Sequence, residues 1–222
     1  MSTSVNMQTV LSFLSDLQTH NDKAWFNQHR DAYDAAREEF EALVSQLIGD
    51  IGRFDDLTGL AARECIMRIY RDVRFSKDKS PFRTSMAASI TRGGKWSTRL
   101  GYYLNIQPGG ESFVGGGLYQ PDPAWLARFR EAISYNSAPF KAILNAPKFK
   151  RRFGTVQGDA VKTAPQGYPK DHPEIELLRQ KDVLAMHNLA DEAVLATDFS
   201  KHVVDVCKAM KPFLDYLNAL SD

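Results

Sequence analysis

Six basic side chains lie between Arg68 and Arg83, in a stretch that reads RIYRDVRFSKDKSPFR. Arg68, Arg71, Arg74, Lys77, Lys79 and Arg83 face only Asp72 and Asp78, with Tyr70, Phe75 and Phe82 interleaved. Arginine offers a planar, bidentate fork to phosphate or carboxylate, and lysine adds a mobile point charge. Each charge-assisted hydrogen bond contributes about 1.5–3 kcal/mol, so two or three converging on one ligand would hold it. The candidate ligand-binding set is therefore Arg68, Tyr70, Arg71, Asp72, Arg74, Lys77, Asp78, Lys79 and Arg83. Asp72 and Asp78 are of a type to act as general acid or base, or as magnesium ligands beside a phosphate. Their first reading is simpler: each neutralises a neighbour and orders the chain. The alternative for the whole cluster is a solvated strand face with internal pairs such as Arg71 with Asp72 and Lys77 with Asp78.

These residues need elements to position them. From Cys65 the apolar pattern alternates, which predicts a strand with Met67, Ile69, Val73 and Phe75 on one face and Arg68, Tyr70, Asp72 and Arg74 on the other. Arg71 breaks the pattern, because parity places it on the apolar side. An unpaired guanidinium there would be costly, since breaking a buried pair typically costs about 3–5 kcal/mol. Arg71 therefore requires a carboxylate partner, a bulge that turns it outward, or a ligand pocket. Pro81 has no amide donor and restricts Ser80 before it, so residues 75–81 are expected to form an ordered loop. The resulting expectation is a basic pocket at a strand end.

Common catalytic templates are missing. Gly93-Gly94-Lys95 lacks the spacing of a phosphate loop, and no histidine pair has zinc-ligand spacing. There is no nucleophile elbow or dinucleotide fingerprint. The sequence thus names no catalytic residue, metal or cofactor. Cys65 and Cys207, the two cysteines, read as buried thiols. Tyr70, Trp96, Tyr102 and Tyr103 are of a type to stack on bases, with core packing the first reading for most of them.

Charge is distributed in blocks. Residues 63–99 carry a net charge of +7 and residues 100–154 carry +4, whereas residues 1–62 carry −6 and residues 155–222 carry −4. Such polarity suits an anionic partner. It also suits acidic helices packed around a basic sheet.

Around the cluster, residues 7–19 have helical spacing with Asn6 as N-cap, and a longer helix capped by Asn21 carries Phe26, Tyr33, Phe40, Leu43, Val44, Leu47, Ile48 and Ile51 in one stripe. Further strands are predicted at Met86 to Thr91, Arg99 to Gln107 and Ser112 to Tyr119, with Val183 to Asn188 as an added strand. Gly115-Gly116-Gly117 leaves a bare patch of sheet for a tightly packed helix, the first reading, or for a ligand. Asp122 caps a helix that has Pro123 in its first turn, and residues 154–169 form a loop. A last helix carries Phe199, Val203, Val206, Met210, Phe213, Leu214 and Leu217. The expected fold is a single α+β domain over residues 1–222, an antiparallel sheet of four to five strands packed against long N-terminal and C-terminal helices. N-terminal helices occupy 7–52, the sheet 65–119, and a helical, loop-rich half 122–220.

Asn21 to Phe26, the RIYRDVRFSKDKSPF block, Gly101 to Leu104, Phe113 to Tyr119, Tyr168 through Asp171-His172-Pro173 to Leu178, and Phe213 to Asn218 together resemble a widespread, mainly bacterial family of conserved hypothetical proteins, a domain of unknown function. Asp22 stands where a second Asn is frequent, and Arg83 where Lys is frequent. The resemblance implies one domain and brings no established activity. The first functional reading is a protein, enzyme or binder, that takes a phosphate-bearing or otherwise anionic small molecule or nucleotide. The second is nucleic-acid binding by residues 63–154, and the third a non-catalytic interaction or scaffold protein. With no apolar run near the ~20 residues of a membrane span and no signal-peptide pattern, the expected location is cytoplasmic. Oligomeric state is not readable.

Overall fold

The computed structural model describes residues 5–221. Among them the chain forms ten α-helices and one four-stranded antiparallel sheet of order β1-β2-β3-β4, an α+β fold. The described residues divide into two compact units. The first runs up to Thr98 and adds Tyr102–Val114 and Asn188–Asp205; the second holds Arg99–Gly101, Gly115–His187 and the chain from Val206.

In the first unit, α1 (Met7–Thr19) is capped by Asn6, whose side chain accepts from the Gln8 amide at 3.1 Å. Its Val10, Leu14 and Leu17 are fully buried. The long helix expected from Asn21 is instead two helices, α2 (Lys23–Gln28) and α3 (Arg30–Ile51). Asp22 takes the cap because its carboxylate accepts from both Ala24 N and Trp25 N, at 2.8 and 2.9 Å. The break falls at His29, which lies outside helical geometry at φ −109°, ψ 28°. Of the predicted stripe, Phe26, Tyr33, Phe40, Leu43, Val44, Leu47 and Ile51 are buried, while Ile48 is half-buried. After α4 (Ala62–Cys65), β1 (Met86–Ile90) pairs antiparallel with β2 (Tyr102–Ile106), Met86 opposite Ile106 and Ile90 opposite Tyr102. α3 packs against β1.

The strand predicted from Cys65 to Phe75 does not form. Cys65 ends α4, and only Ile66 and Tyr70 make isolated bridges, to Ala88 and Phe82. Alternation alone does not make a strand; it needs a partner whose amides continue the ladder, and Pro81 supplies none. Cys65 and Cys207 are free and buried. Burial pushes the Cys65 thiol up to about 11, leaving it inert as a nucleophile.

β3 (Ser112–Leu118) and β4 (Val183–Leu189) each contribute residues to both units. In the second unit, α5 (Pro123–Asn136) is capped by Asp122, which accepts from Trp125 N at 2.8 Å. α6 (Ala138–Asn145) and α7 (Pro147–Phe153) follow, and a long loop leads to α8 (Ile175–Leu178). α9 (Asp191–Leu195) lies in the first unit, and α10 (Phe199–Asn218) closes the chain.

The glycine patch is a packing device. A Cβ on Gly116 would meet Met210 Sδ at 2.7 Å and Leu214 Cδ2 at 3.1 Å, and one on Gly117 would meet Val183 O at 2.1 Å. Gly117 also sits at φ +127°, open to glycine and few others. The side chains of α10 occupy the space that a ligand would have needed.

Candidate anion-binding loop

Residues 71–81 form a loop closed at its base. Tyr70 bridges Phe82, Arg71 N donates to Pro81 O at 2.9 Å, and Arg83 N donates to Ile69 O at 2.7 Å. Beneath it, Phe26 stacks on Phe82 with ring centroids 4.0 Å apart, and Tyr70 packs against Phe82 at 5.2 Å. Asn21 clamps the same point: its side-chain amide donates to Phe82 O at 3.0 Å and its carbonyl accepts from Phe82 N at 3.1 Å. A primary amide mimics a peptide group in this way because it is donor and acceptor at once. Sequence reading assigned Asn21 to a helix cap and missed the clamp.

Inside the loop Arg71 is met by a carboxylate, the first of the three arrangements its position required. Its Nη1 donates to Asp78 Oδ2 and to Ser80 O at 3.2 Å, and its Nη2 to Ser76 Oγ at 3.4 Å. Asp78 Oδ1 also accepts from Ser80 N at 2.9 Å and Ser80 Oγ at 2.6 Å. The Ser80 hydroxyl and amide, and then Arg71, hold the Asp78 carboxyl well below the usual carboxylate range. Arg74 grips Asp72 with two prongs, Nε at 3.0 Å and Nη2 at 2.7 Å. This lowers the Asp72 carboxyl and raises the Arg74 guanidinium. Lys79 Nζ donates to Val73 O at 2.9 Å. The pairs suggested by the sequence, Arg71 with Asp72 and Lys77 with Asp78, give way to Arg71 with Asp78 and Arg74 with Asp72. The cause is the loop: curvature brings residues seven apart together, which an extended strand cannot do.

The nine candidates thus separate into two groups. Arg71, Asp72, Arg74, Asp78 and Lys79 bond within the loop. Arg68, Lys77 and Arg83 are exposed, and Tyr70 is 48 % exposed. The side chains of Lys77 and Arg83 make no hydrogen bond or ion pair among the described residues, while the charge of Arg68 acts on Asp72. Phe75, assigned by parity to an apolar face, is 96 % exposed, with the Arg74 guanidinium 5.9 Å from its ring centroid. Ionised and hydrogen-bonded, Asp72 and Asp78 are acceptors and not proton donors at neutral pH. Among the other proposed stacking residues, Tyr102 is buried, its hydroxyl donating to Asp55 Oδ2 at 2.7 Å, whereas Trp96 is 88 % exposed.

A second polar cluster lies in the second unit, where sequence spacing gave no signal. Ser134 Oγ is 3.2 Å from His172 Nε2, and Glu174 N donates to His172 Nδ1 at 3.0 Å. Ser137 Oγ and Lys141 Nζ both donate to Glu174 Oε1 at 2.8 Å, and Lys141 and then Ser137 lower that carboxyl. Because Nδ1 accepts an amide hydrogen, the neutral ring carries its proton on Nε2 and donates it to Ser134. The pair resembles a catalytic dyad in distance but has the wrong tautomer to remove the serine proton. Among the described residues, no group of three or more His, Cys, Asp or Glu could hold a metal ion, and no helix is long and apolar enough to cross a membrane.

The fold and loop define an α+β protein with an internally hydrogen-bonded basic surface loop. The chain belongs to the conserved hypothetical protein family DUF2461, whose profile matches residues 9–216. No curated protein and no solved structure matches it.

Proposed function

We propose that the loop is a preorganised recognition element for a phosphate-bearing small molecule, with a nucleotide as the fitting class. One observation carries this reading: Arg71 and Arg74 are paired with Asp78 and Asp72, yet the side chains of Lys77 and, two residues past the loop, Arg83 have no partner among the described residues, and Phe75 faces solvent. Uncompensated cations on a rigid frame bind anions with little ordering cost. Lys77, Arg83 and Arg68 supply phosphate donors, and the open faces of Phe75 and Tyr70 offer a base a stacking surface. Arg71, Arg74, Asp72, Asp78 and Lys79 act as the frame.

The test is a thermal-shift screen of inorganic phosphate, pyrophosphate and nucleoside mono-, di- and triphosphates. At least one nucleotide should raise Tm, and Lys77→Ala with Arg83→Ala should remove the rise. A flat response to every compound would end the proposal. A response confined to oligonucleotides, falling steeply with salt, would replace it with nucleic-acid binding.

A further inference from the structure

Helix α7 reads PKFKRRF, and apart from Pro147 and its two phenylalanines every residue in it is a cation. Phe149 and Phe153, one turn apart, are 1 % and 5 % exposed. Their rings lie 4.8 Å from each other, and that of Phe149 lies 5.4 Å from Phe213 of α10. The core thus takes the whole apolar side of the helix. Its last carbonyls are held too, Arg152 O accepting from His187 Nδ1 at 3.0 Å and Phe153 O from Gln157 Nε2 at 3.3 Å. What remains outward is charge: Lys148, Lys150 and Arg151 are exposed and Arg152 is half-buried.

That charge is uncompensated. Residues 132–158 contain no Asp or Glu, and none of the four side chains makes a hydrogen bond or ion pair among the described residues. Lys141, the other cation of this stretch, is by contrast paired with Glu174. Lys148 has like charges three and four residues on, at Arg151 and Arg152, a spacing at which repulsion weakens a helix. The helix dipole favours Lys150, Arg151 and Arg152 in the last turn, but it opposes Lys148 in the first. Helix stability therefore does not explain the set.

We propose that α7 docks on the phosphodiester backbone of a nucleic-acid duplex. Helical geometry fans Lys150, Arg151 and Lys148 over about 160° of the circumference, so they do not converge on one small anion and suit an extended polyanion. A bilayer surface would need apolar side chains to insert, and those of α7 are buried. A duplex repays crowded cations by releasing its condensed counterions. Phosphate contacts carry no sequence information, so binding is indifferent to sequence. This surface is separate from the nucleotide site proposed above: α7 belongs to the second unit and the 71–81 loop to the first.

Fluorescence anisotropy with labelled DNA duplexes of unrelated sequence tests this. The wild type should bind all of them alike at about 50 mM salt and weaken towards 200 mM, log K falling against log salt with a slope of about −3 to −4 for four neutralised phosphates. Lys148→Ala/Arg151→Ala should reduce that slope by about 2 at a Tm near the wild-type value, since both side chains are exposed. Lys77→Ala/Arg83→Ala should leave the slope unchanged, which keeps this surface distinguishable from the loop. No binding at low salt, or an unchanged slope in the α7 variant, would overturn the proposal. So would a slope lost with the loop variant, or tighter binding to phosphatidylserine vesicles or polyglutamate than to the duplex.

Discussion

The 71–81 loop and the Ser134–His172–Glu174 cluster are both polar networks on irregular chain, yet their hydrogen-bond directions give them different capacities. In the loop the Arg71, Arg74 and Lys79 side chains find internal acceptors, and the Lys77 ammonium remains outside the network. In the cluster the Glu174 amide fixes the His172 tautomer, and Ser134 becomes an acceptor instead of a nucleophile. Proximity of chemically capable groups decides little here. What matters is which group holds each proton, and what charge is left over once the internal bonds are made.

The comparison breaks first at Asp78, which accepts from Ser80 twice and from Arg71. Asp78→Ala should release the loop and speed tryptic cleavage at Lys77 or Lys79 at least about tenfold, because local opening controls cleavage. An unchanged rate would mean that the frame does not depend on this carboxylate. Next is the clamp. Asn21→Ala leaves the Phe82 amide and carbonyl without their partner, at a cost of about 1–3 kcal/mol, visible as a Tm loss of ~2–4 °C per kcal/mol for a chain of this size. Asn21→Asp should not restore stability, since it lacks the donor.

The cluster should respond much less. Ser134→Ala should change stability by no more than about 0.5 kcal/mol, and a fluorophosphonate probe should leave Ser134 unlabelled. Covalent labelling at Ser134 would show that the tautomer argument fails.

The smallest effect concerns pH. Asp72 and Asp78 are both lowered in the folded chain. Their contribution to loop order is therefore fully present above the unfolded carboxylate value of about 3.9, and is lost as pH falls through the depressed folded values. The Ser80 amide resonance should hold steady from about pH 8 to about pH 5 and move only below about pH 4. A midpoint near neutrality would point to some other group as the control.

What the sequence revealed followed from local chemistry. Asn6 and Asp122 cap the helices they precede, strands form at 86–90, 102–106, 112–118 and 183–189, and the glycine patch receives a helix. Each depends on a short pattern that one segment contains. The errors involved partners elsewhere in the chain. Alternation over 67–75 gave no hint that Pro81 would end the pairing at Arg71. Arg71 visibly needed a carboxylate, but its choice of Asp78 depends on loop curvature. Asn21 and Asp22 both suit a cap, and only the approach of Phe82 separates their duties. Phe75 carries an apolar signature that parity assigns to a core face, whereas the structure turns it outward.

The most direct test of the account separates frame from contact. Isothermal titration with pyrophosphate and ADP would be run on the wild type and on Lys77→Ala/Arg83→Ala, each protein also checked by limited proteolysis. The account predicts binding to the wild type and at least about tenfold weaker binding to the double variant, the value of one charge-assisted hydrogen bond, with proteolysis of the loop confined to the same slow rate. Equal affinity in the two proteins, or no binding to the wild type, would contradict it.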